Sequence, residues 1–387
     1  MKRRIFFFCF LVLGALLTLY PGVDIKQEKF RQELQTQLNR LVKETAFPGA
    51  TLAVVLPNGQ YIHIAAGFSD LESRDEMKPG SRIFSGSIGK TFVAAVVLQL
   101  MEEKKLSLED KVQKYFTHCP WYGRVPNGSK LTVRMLLNHT GGLPEHILDD
   151  AFRTIIIKNP DRIYKPAELI AYILDKKPVH EAGNGWSYSD TDYIFLGMII
   201  EKITGRTYYE ELTRRILKPL QLDQTTPADR QDLAGLAAGY TGKEPFGFPG
   251  KVLVNGKYVV NPQFEWTGGG LVTTSLDLAV WAKRLYEGKA ITPASVQKML
   301  EIVDTKDDPN TLGYGLGVQV WKSDNGPIYG HSGIFPGYQS IMEYLPNYKF
   351  SIALQINIDR TVLEQAKNLH KRLSVFIPII IGYLTEK

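Results

Sequence analysis

The chain has 387 residues, of which 44% are hydrophobic, and this composition is sufficient for a large folded core. Its formal net charge is +6, and three of the positive charges lie together at residues 2–4. No other basic run is interleaved with aromatic residues, so we expect no nucleic-acid partner. Only two cysteines are present, and removal of the first residues would leave Cys119 alone, without an internal disulfide.

Residues 1–24 are typical of an export signal. Residues 2–4 are basic and residues 5–20 are uncharged, which is the order of a secretory leader. The small residues that usually precede a cleavage site are missing from residues 18–22, and the apolar run is slightly short for a membrane-spanning helix. Two alternatives stay open: a cleaved signal peptide, or an uncleaved anchor that associates with the membrane through residues 5–20. Both predict an exported protein, either periplasmic or anchored so that it faces outside the cytoplasm.

The first predicted elements of the body are a helix and a β-hairpin. Four apolar residues have the spacing of an amphipathic helix, namely Phe30, Leu34, Leu38 and Leu41. Two short apolar runs follow at residues 50–56 and 61–66, joined through Pro57-Asn58-Gly59. Asn-Gly between two such runs predicts a hairpin.

Residues 84–92 contain a candidate nucleophile. Small residues lead into Ser87, Lys90 follows three positions later, and the chain then becomes apolar on every side, which predicts a buried helix. Residues three apart share a helical face, and a helix N-terminus favours an oxyanion, so Ser87 and Lys90 could form an activated nucleophile. The same Ser-x-x-Lys spacing recurs at Ser295 and Lys298. The spacing alone therefore does not separate a catalytic serine from one that begins a helix.

Two glycine-rich stretches follow in the middle of the chain. Residues 183–190 form a loop that contains Tyr188 and precedes an apolar helix predicted at residues 193–203. A loop set between helices presents its side chains rather than burying them. Residues 268–270 are three consecutive glycines, which permit another element to approach the backbone closely.

The last third of the chain returns to a β pattern. Three strands are predicted, at residues 327–331, 338–345 and 350–357. A closing helix is expected at residues 361–373. The apolar segment at residues 375–384 is interrupted by Pro378 and is too short to span a bilayer, so core packing and membrane contact would both explain it.

This order of elements predicts an α+β fold. Strands from both chain ends would form one antiparallel sheet with flanking helices, and a mainly helical lobe would be inserted between them. We expect a single catalytic domain at residues 25–373, followed by an apolar tail at residues 374–387. Its sheet lobe would comprise residues 25–84 and 250–373, and its helical lobe residues 85–249, with the active-site cleft between the lobes.

Three landmarks stand in order along this fold: Ser87-Ile88-Gly89-Lys90, Tyr188-Ser189-Asp190 and His331-Ser332-Gly333. With them the chain resembles the serine β-lactamase and penicillin-recognising DD-peptidase superfamily. The resemblance is strongest to class C β-lactamases, D-Ala-D-Ala carboxypeptidases and related esterases, and it covers about residues 40 to 360. Supporting stretches lie at residues 47–50 and 136–143, and in Gly268-Gly269-Gly270-Leu271-Val272.

The resemblance implies a role for each matching residue. Ser87 would be the acylated nucleophile, and Lys90 would manage its proton. Tyr188 would act as a general base toward Ser87 and then as a general acid toward the leaving group. The oxyanion hole would be formed by the backbone N–H groups of Ser87 and Ile334.

The remaining motif residues would lie around the substrate, and two of them depart from the family pattern. His331, Ser332 and Gly333 would line the edge strand and orient the substrate, with His331 near a substrate carboxylate. Class C β-lactamases commonly have a lysine in this motif, whereas histidine is mostly neutral at pH 7. Asp190 stands where the family usually has asparagine. These differences favour a carboxypeptidase, amidase or esterase over a β-lactamase.

The sequence therefore predicts an exported serine hydrolase that works through an acyl-enzyme on an amide or ester. A small molecule or a peptidoglycan-type D-amino-acid peptide is the expected substrate, with an ester or β-lactam next. His139 and His146 have no accompanying carboxylate or cysteine cluster, so we predict no metal and no organic cofactor. The alternative is a penicillin-binding-type sensor that is acylated without turnover.

Overall fold

The computed structural model describes residues 25–242, 250–305, 311–363 and 368–386, so the predicted leader at residues 1–24 lies outside the described part of the chain. Its helices are α1 (Ile25–Thr45), α2 (Gly89–Glu102), α3 (Val133–Leu137), α4 (Asp150–Lys158), α5 (Pro166–Ile170), α6 (Asp190–Thr204), α7 (Tyr208–Leu212), α8 (Ser275–Tyr286), α9 (Pro293–Met299), α10 (Leu369–Ser374) and α11 (Ile377–Thr385). Among these helices, none is long and apolar enough to cross a membrane.

The strands form one large sheet and three small ones. They are β1 (Gly49–Val55), β2 (Tyr61–Asp70), β3 (Asp75–Glu76), β4 (Ile83–Phe84), β5 (Thr226–Pro227), β6 (Tyr240–Thr241), β7 (Gly250–Lys251), β8 (Leu253–Val254), β9 (Lys257–Tyr258), β10 (Leu271–Thr273), β11 (Thr311–Tyr314), β12 (Gln319–Trp321), β13 (Ile328–Phe335), β14 (Tyr338–Leu345) and β15 (Phe350–Ile356). The large sheet has the order β11-β12-β13-β14-β15-β1-β2-β3, with antiparallel neighbours throughout. Both chain ends thus contribute to one sheet, and the predicted α+β fold is confirmed.

The predicted hairpin is the pair β1–β2, which lies next to the edge strand β3 of this sheet. Val55 lies opposite Tyr61, and Gly49 lies opposite Gly67, so the register extends over all of β1. Gly59 adopts a φ of 87° in the connecting turn, a conformation that a glycine after asparagine accommodates without strain.

Helices cover both faces of the large sheet. On one face, α1 and α10 pack against the strands through an apolar layer in which Leu34, Leu38 and Leu373 are fully buried. On the other face, α8 packs against β1, β14 and β15. The buried helix α2 lies beyond it in the main core, and its residues from Val93 to Leu98 have no exposed surface, as the apolar pattern predicted.

The strands predicted for the last third of the chain were incomplete. The strand expected at residues 327–331 is β13 (Ile328–Phe335), which continues through the polar residues His331 and Ser332. Two strands that the sequence analysis did not include, β11 and β12, pair beside it at the edge of the sheet. The sequence pattern does not indicate these strands, because each has only three or four residues and because the β11–β12 pairing shifts register at Gly313.

The C-terminal segment is helical and packed. The closing helix was expected at residues 361–373, but residues 360–362 form a turn, residues 364–367 lie outside the described part, and α10 begins only at Leu369. The apolar stretch predicted as a tail contains α11, whose Tyr383 ring stacks on Phe30 of α1 with centroids 4.2 Å apart. Ile380 of the same helix is fully buried.

Candidate active site

Ser87 lies on a short 3-10 turn, Gly86–Ile88, that leads directly into α2. Its hydroxyl is placed at the N-terminal end of a buried helix, where the helix dipole favours a developing negative charge. Gly86 has a φ of 51°, and a Cβ atom on it would lie 2.5 Å from the backbone nitrogen of Ile334. Only glycine therefore lets this turn touch β13.

The three consecutive glycines pack directly beneath the Ser87 turn. A Cβ atom on Gly269 would lie 2.5 Å from the carbonyl carbon of Gly86 and 3.0 Å from the backbone nitrogen of Ser87. A Cβ atom on Gly89 would lie 2.7 Å from the Cα atom of Gly269. The predicted close approach is confirmed, and the element that approaches is the one that carries the candidate nucleophile.

Lys90 is fully buried, and its ammonium group has three acceptors. Its Nζ atom lies 3.4 Å from Ser87 Oγ and 2.5 Å from the carbonyl oxygen of Gly268, and it also donates to Asp190 Oδ1. Burial lowers the pKa of Lys90, but attraction to nearby acidic groups, chiefly Asp190, outweighs burial and raises the pKa above its ordinary value. Lys90 is therefore a cation that donates a hydrogen bond to Ser87, and in this state it cannot accept the serine proton.

Tyr188 lies beside this lysine, in the same cleft as Ser87. The Nζ atom of Lys90 is 4.7 Å from the centroid of the tyrosine ring. The Tyr188 hydroxyl is buried and makes no hydrogen bond of standard geometry with the residues that the structure describes. Burial raises the pKa of this hydroxyl, whereas Lys90 acts in the opposite direction. The tyrosine is thus available for proton transfer but is neutral at pH 7.

Asp190 is the first residue of α6, which begins three residues earlier than predicted. Its side chain forms a buried ion pair with Lys90, so the two motif residues are brought together. The backbone nitrogen of Asp190 donates to Glu145 Oε2 over 2.5 Å. Burial raises the pKa of Asp190, and Lys90 opposes that shift. The departure from the family pattern therefore places a carboxylate directly on the lysine that contacts Ser87.

His331, in the third motif, is buried in β13 and is neutral. Its Nδ1 atom donates to the carbonyl oxygen of Ser332 over 2.6 Å, so its Nε2 atom accepts from the Tyr314 hydroxyl at 2.9 Å. Burial lowers the pKa of His331 to about 3. His331 lines the cleft, but it offers no positive charge to a substrate carboxylate.

The edge of β13 is open beside Ser87. The partner strand β12 ends its pairing where Gln319 lies opposite Gly330, so residues beyond this point have no partner on that side among the described strands. A Cβ atom on Gly333 would lie 2.9 Å from the backbone nitrogen of Ser87. With the contact of Gly86 described above, this arrangement brings the N–H groups of Ser87 and Ile334 onto adjacent segments, as an oxyanion hole requires.

The cleft has a volume of about 600 Å³ and contains residues that sequence analysis missed. The charged and polar lining residues outside the predicted site are Glu145, Arg153, Glu265, Gln319, Asp359, Arg360 and Thr361. Glu145 and Glu265 each lie within three residues of a stretch that had been singled out, and this proximity is the one signal that could have identified them. Gln319 accepts the backbone N–H of Ser332 over 2.8 Å.

The two histidines near the cleft are engaged in side-chain hydrogen bonds. His139 Nδ1 lies 2.8 Å from Asp192 Oδ2, and His146 Nδ1 lies 3.0 Å from Thr191 Oγ1. Burial lowers the pKa of His139 well below its ordinary value. Across the described ranges, no group of three or more His, Cys, Asp or Glu side chains is arranged to hold a metal ion.

Comparison with known proteins agrees with this geometry. Residues 34–375 match the family model described as Beta-lactamase. Penicillin-binding protein 4* of Bacillus subtilis (strain 168) is 28% identical over 355 residues, which cover 88% of this chain and 75% of that protein. The structure of a D-stereospecific amidohydrolase from Streptomyces sp. superimposes with a TM-score of 0.74 at 27% identity, covering 91% of this chain and 98% of that one.

A further solved structure shows the same fold at lower identity. The D-amino acid amidase from Ochrobactrum anthropi SV3, in complex with L-phenylalanine, gives a TM-score of 0.79 at 22% identity and covers 91% of this chain and 99% of its own. The match of the family model over most of the chain decides the assignment. The chain belongs to the β-lactamase family and is a serine hydrolase of the superfamily that also contains the penicillin-binding proteins.

Proposed function

We propose that the protein hydrolyses an amide or ester bond of a D-amino-acid derivative through an acyl-enzyme on Ser87, in the manner of a D-Ala-D-Ala carboxypeptidase or D-amino-acid amidase. The observation that carries this proposal is the contact between Ser87 Oγ and the buried ammonium of Lys90, at the open edge of β13. The preference for a D-configured substrate is supported by the names of the amidohydrolase and the amidase described above.

The geometry supports a division of labour in the acylation step. Lys90 donates to Ser87 Oγ, so the serine proton must pass to another group, and the hydroxyl of Tyr188, which interacts with Ser87 in the same cleft, is the candidate acceptor in its ionised form. Ser87 Oγ then attacks the carbonyl carbon, and Tyr188 returns the proton to the leaving group. The N–H groups of Ser87 and Ile334 would hold the oxyanion, and removal of one such donor typically raises the barrier by about 3–4 kcal/mol.

The open edge of β13 supports an extended substrate. Residues 331–335 present backbone groups toward the cleft without a neighbouring strand in the described chain. A short peptide could pair with this edge as an added strand and place its scissile carbonyl between Ser87 and Ile334. A peptidoglycan-type D-Ala peptide is the leading substrate for this reason, ahead of a simple ester or a β-lactam.

Intact-mass measurement with a panel of substrates tests this proposal. The panel contains D-Ala-D-Ala peptides, p-nitrophenyl esters and penicillins, and any adduct is mapped by digestion. We expect an acyl adduct on Ser87 and product in large excess over enzyme for at least one D-peptide or ester. One equivalent of product with a lasting adduct would instead support the sensor alternative. An adduct on another residue, or neither turnover nor an adduct with any compound, would refute the proposal.

We also propose that the protein is exported, because basic residues at 2–4 precede the uncharged residues 5–20. A C-terminal alkaline phosphatase fusion in a bacterial host should be active, since this reporter works only outside the cytoplasm. A fusion that is active only with a cytoplasmic reporter would refute export. The N-terminal residue of the purified protein would decide between cleavage and anchoring.

A further inference from the structure

Of the four carboxyl groups that line the cleft, those of Asp190, Glu145 and Glu265 interact with one another, and the buried lysine pairs directly with Asp190. Asp190 holds Lys90 in the ion pair described above. Glu145 is bound through its Oε2 atom to the backbone nitrogen of Asp190 and through its Oε1 atom to the backbone nitrogen of Ile147, at 3.3 Å. The third carboxyl group, that of Glu265, has a different environment.

Glu265 is unpartnered although it is almost completely buried. Its residue surface is 7% exposed, and among the described residues it has no hydrogen bond and no ion pair, although it lines the cleft. A Cβ atom on Gly268 would lie 3.3 Å from Glu265 Oε1 and 3.3 Å from Asp190 Cγ, so both carboxyl groups lie on the same side of that glycine. Gly268 is also the residue whose carbonyl oxygen accepts from Lys90. The carboxyl oxygens of Glu265 are not among the buried unpartnered atoms and are therefore open to the cleft, where they can accept a hydrogen bond from a donor on a ligand.

A carboxyl group in this position favours a cationic ligand of limited size. Burial and the nearby Asp190 raise the pKa of Glu265 well above its ordinary value and outweigh the opposing effect of Lys90, so the side chain is neutral in the empty cleft. The cations that line the same cleft, Arg153 and Arg360, form no ion pair with Glu265. The described residues contain no cluster suited to a metal ion. A primary ammonium group fits these conditions, because it can donate to Glu265 and replace the proton that the carboxyl group carries.

We propose that Glu265 is a specificity-determining residue that binds the α-ammonium group of the acyl donor, so that D-aminoacyl amides and D,D-dipeptides with a free N-terminus are preferred over their N-acylated counterparts. The position of Glu265 supports this role, because it adjoins the lysine whose Nζ atom lies 3.4 Å from Ser87 Oγ. An α-ammonium group is attached one carbon from the scissile carbonyl, so a substrate bound at Ser87 would carry this group into the same part of the cleft. The inference rests on the proposed acylation of Ser87.

A matched pair of substrates tests the proposal. D-alanine p-nitroanilide and N-acetyl-D-alanine p-nitroanilide share their leaving group and differ at the charged amine. For the unmodified protein we expect a higher kcat/KM with the free amine. A hydrogen bond to a charged group is typically worth about ten- to a hundredfold, so Glu265→Gln should reduce kcat/KM for the free amine by about that factor. The same variant should change kcat/KM for the N-acetyl compound by less than about threefold, as expected for a lost contact that this compound does not make.

Glu201→Gln is the control variant, because Glu201 is a half-buried carboxyl on α6 whose one hydrogen-bond donor among the described residues is the backbone N–H of Tyr208, at 2.9 Å. It should leave both values unchanged. An equal loss for both substrates in Glu265→Gln, or an unchanged preference, would overturn the assignment of Glu265 while leaving acylation of Ser87 intact. Absence of turnover and of a Ser87 adduct with either compound in the unmodified protein would overturn the proposed function itself, and the inference with it.

Discussion

The chain carries the Ser-x-x-Lys spacing twice, and the two copies have different surroundings. Lys90 is fully buried and donates to Ser87, Asp190 and the carbonyl oxygen of Gly268. Lys298 is exposed on the short helix α9, and the described residues form no ion pair with it. The shared spacing therefore fixes only the relative placement of two side chains on a helix.

The serines differ in the same way. Ser87 is half-buried in a turn that opens onto the cleft, with β13 on one side and the glycine stretch beneath it. Ser295 lies inside α9, buried, where the Thr292 hydroxyl donates to its Oγ atom over 3.2 Å. Ser87 thus has a lysine shielded from water and a hydroxyl that a substrate can approach, and the Ser-x-x-Lys spacing alone specifies neither feature.

Replacement of the two serines should have very different effects on kcat/KM, and the loss of Ser87 should be the most damaging change. Ser87→Ala should lower kcat/KM on an activated ester by about 10⁴–10⁶-fold, the usual cost of losing a nucleophile. Ser295→Ala should leave kcat/KM within about twofold, because its hydroxyl only contacts the cap of α9. A fluorophosphonate probe provides an independent measurement, since it should label the Ser295→Ala variant and not the Ser87→Ala variant. Undiminished labelling of Ser87→Ala would show that Ser87 is not the reactive serine.

Local patterns predicted the fold well where the side chains that define an element are close in sequence. The hairpin around Asn58-Gly59 and the buried α2 both follow from such patterns. The edge strands β11 and β12 did not, because their stability comes from pairing with β13, which is distant in sequence. Glu265 was missed for a similar reason, since a glutamate is usually exposed and only the folded chain reveals that it is buried.

The two lysines should differ in their contribution to stability. Lys90→Met leaves Asp190 buried without its cation, and breaking a buried pair typically costs about 3–5 kcal/mol of unfolding free energy. Lys298→Met removes an exposed charge and should change the unfolding free energy by less than about 0.5 kcal/mol. Urea denaturation measures both values.

The unpaired Asp190 also gives the Lys90→Met variant a pH dependence. Its folded pKa would lie above its unfolded pKa, since burial then acts without the opposing cation. The unfolded state then releases this proton more readily, so the destabilisation should grow as the pH rises above the unfolded pKa. Adding Asp190→Asn to Lys90→Met should recover part of the lost stability. A Lys90→Met variant as stable as Lys298→Met would show that the buried pair contributes nothing.

A milder change is expected in the pH at which the site becomes active when Asp190, the carboxylate beside Lys90, is replaced. After the opposing effect of burial, attraction to Asp190 is the largest cause that raises the pKa of Lys90, and Asp190 also raises the pKa of Tyr188. Asp190→Asn removes this negative charge, so both groups should lose their protons at lower pH. The rising limb of the pH profile of kcat/KM reports the group that must be deprotonated, whichever of the two it is. We therefore expect this limb to move to lower pH in Asp190→Asn.

The maximal rate should fall in the same variant, because asparagine cannot replace the charge-assisted hydrogen bond that holds Lys90 beneath Ser87. A lower maximum with a shifted limb separates an electrostatic role of Asp190 from simple loss of structure, which would lower the maximum alone. Glu201→Gln again provides the matched control, since it removes a half-buried carboxyl outside the cleft and should leave the limb in place. A limb that stays in place or moves to higher pH in Asp190→Asn would mean that neither Lys90 nor Tyr188 controls the ionisation that activates Ser87.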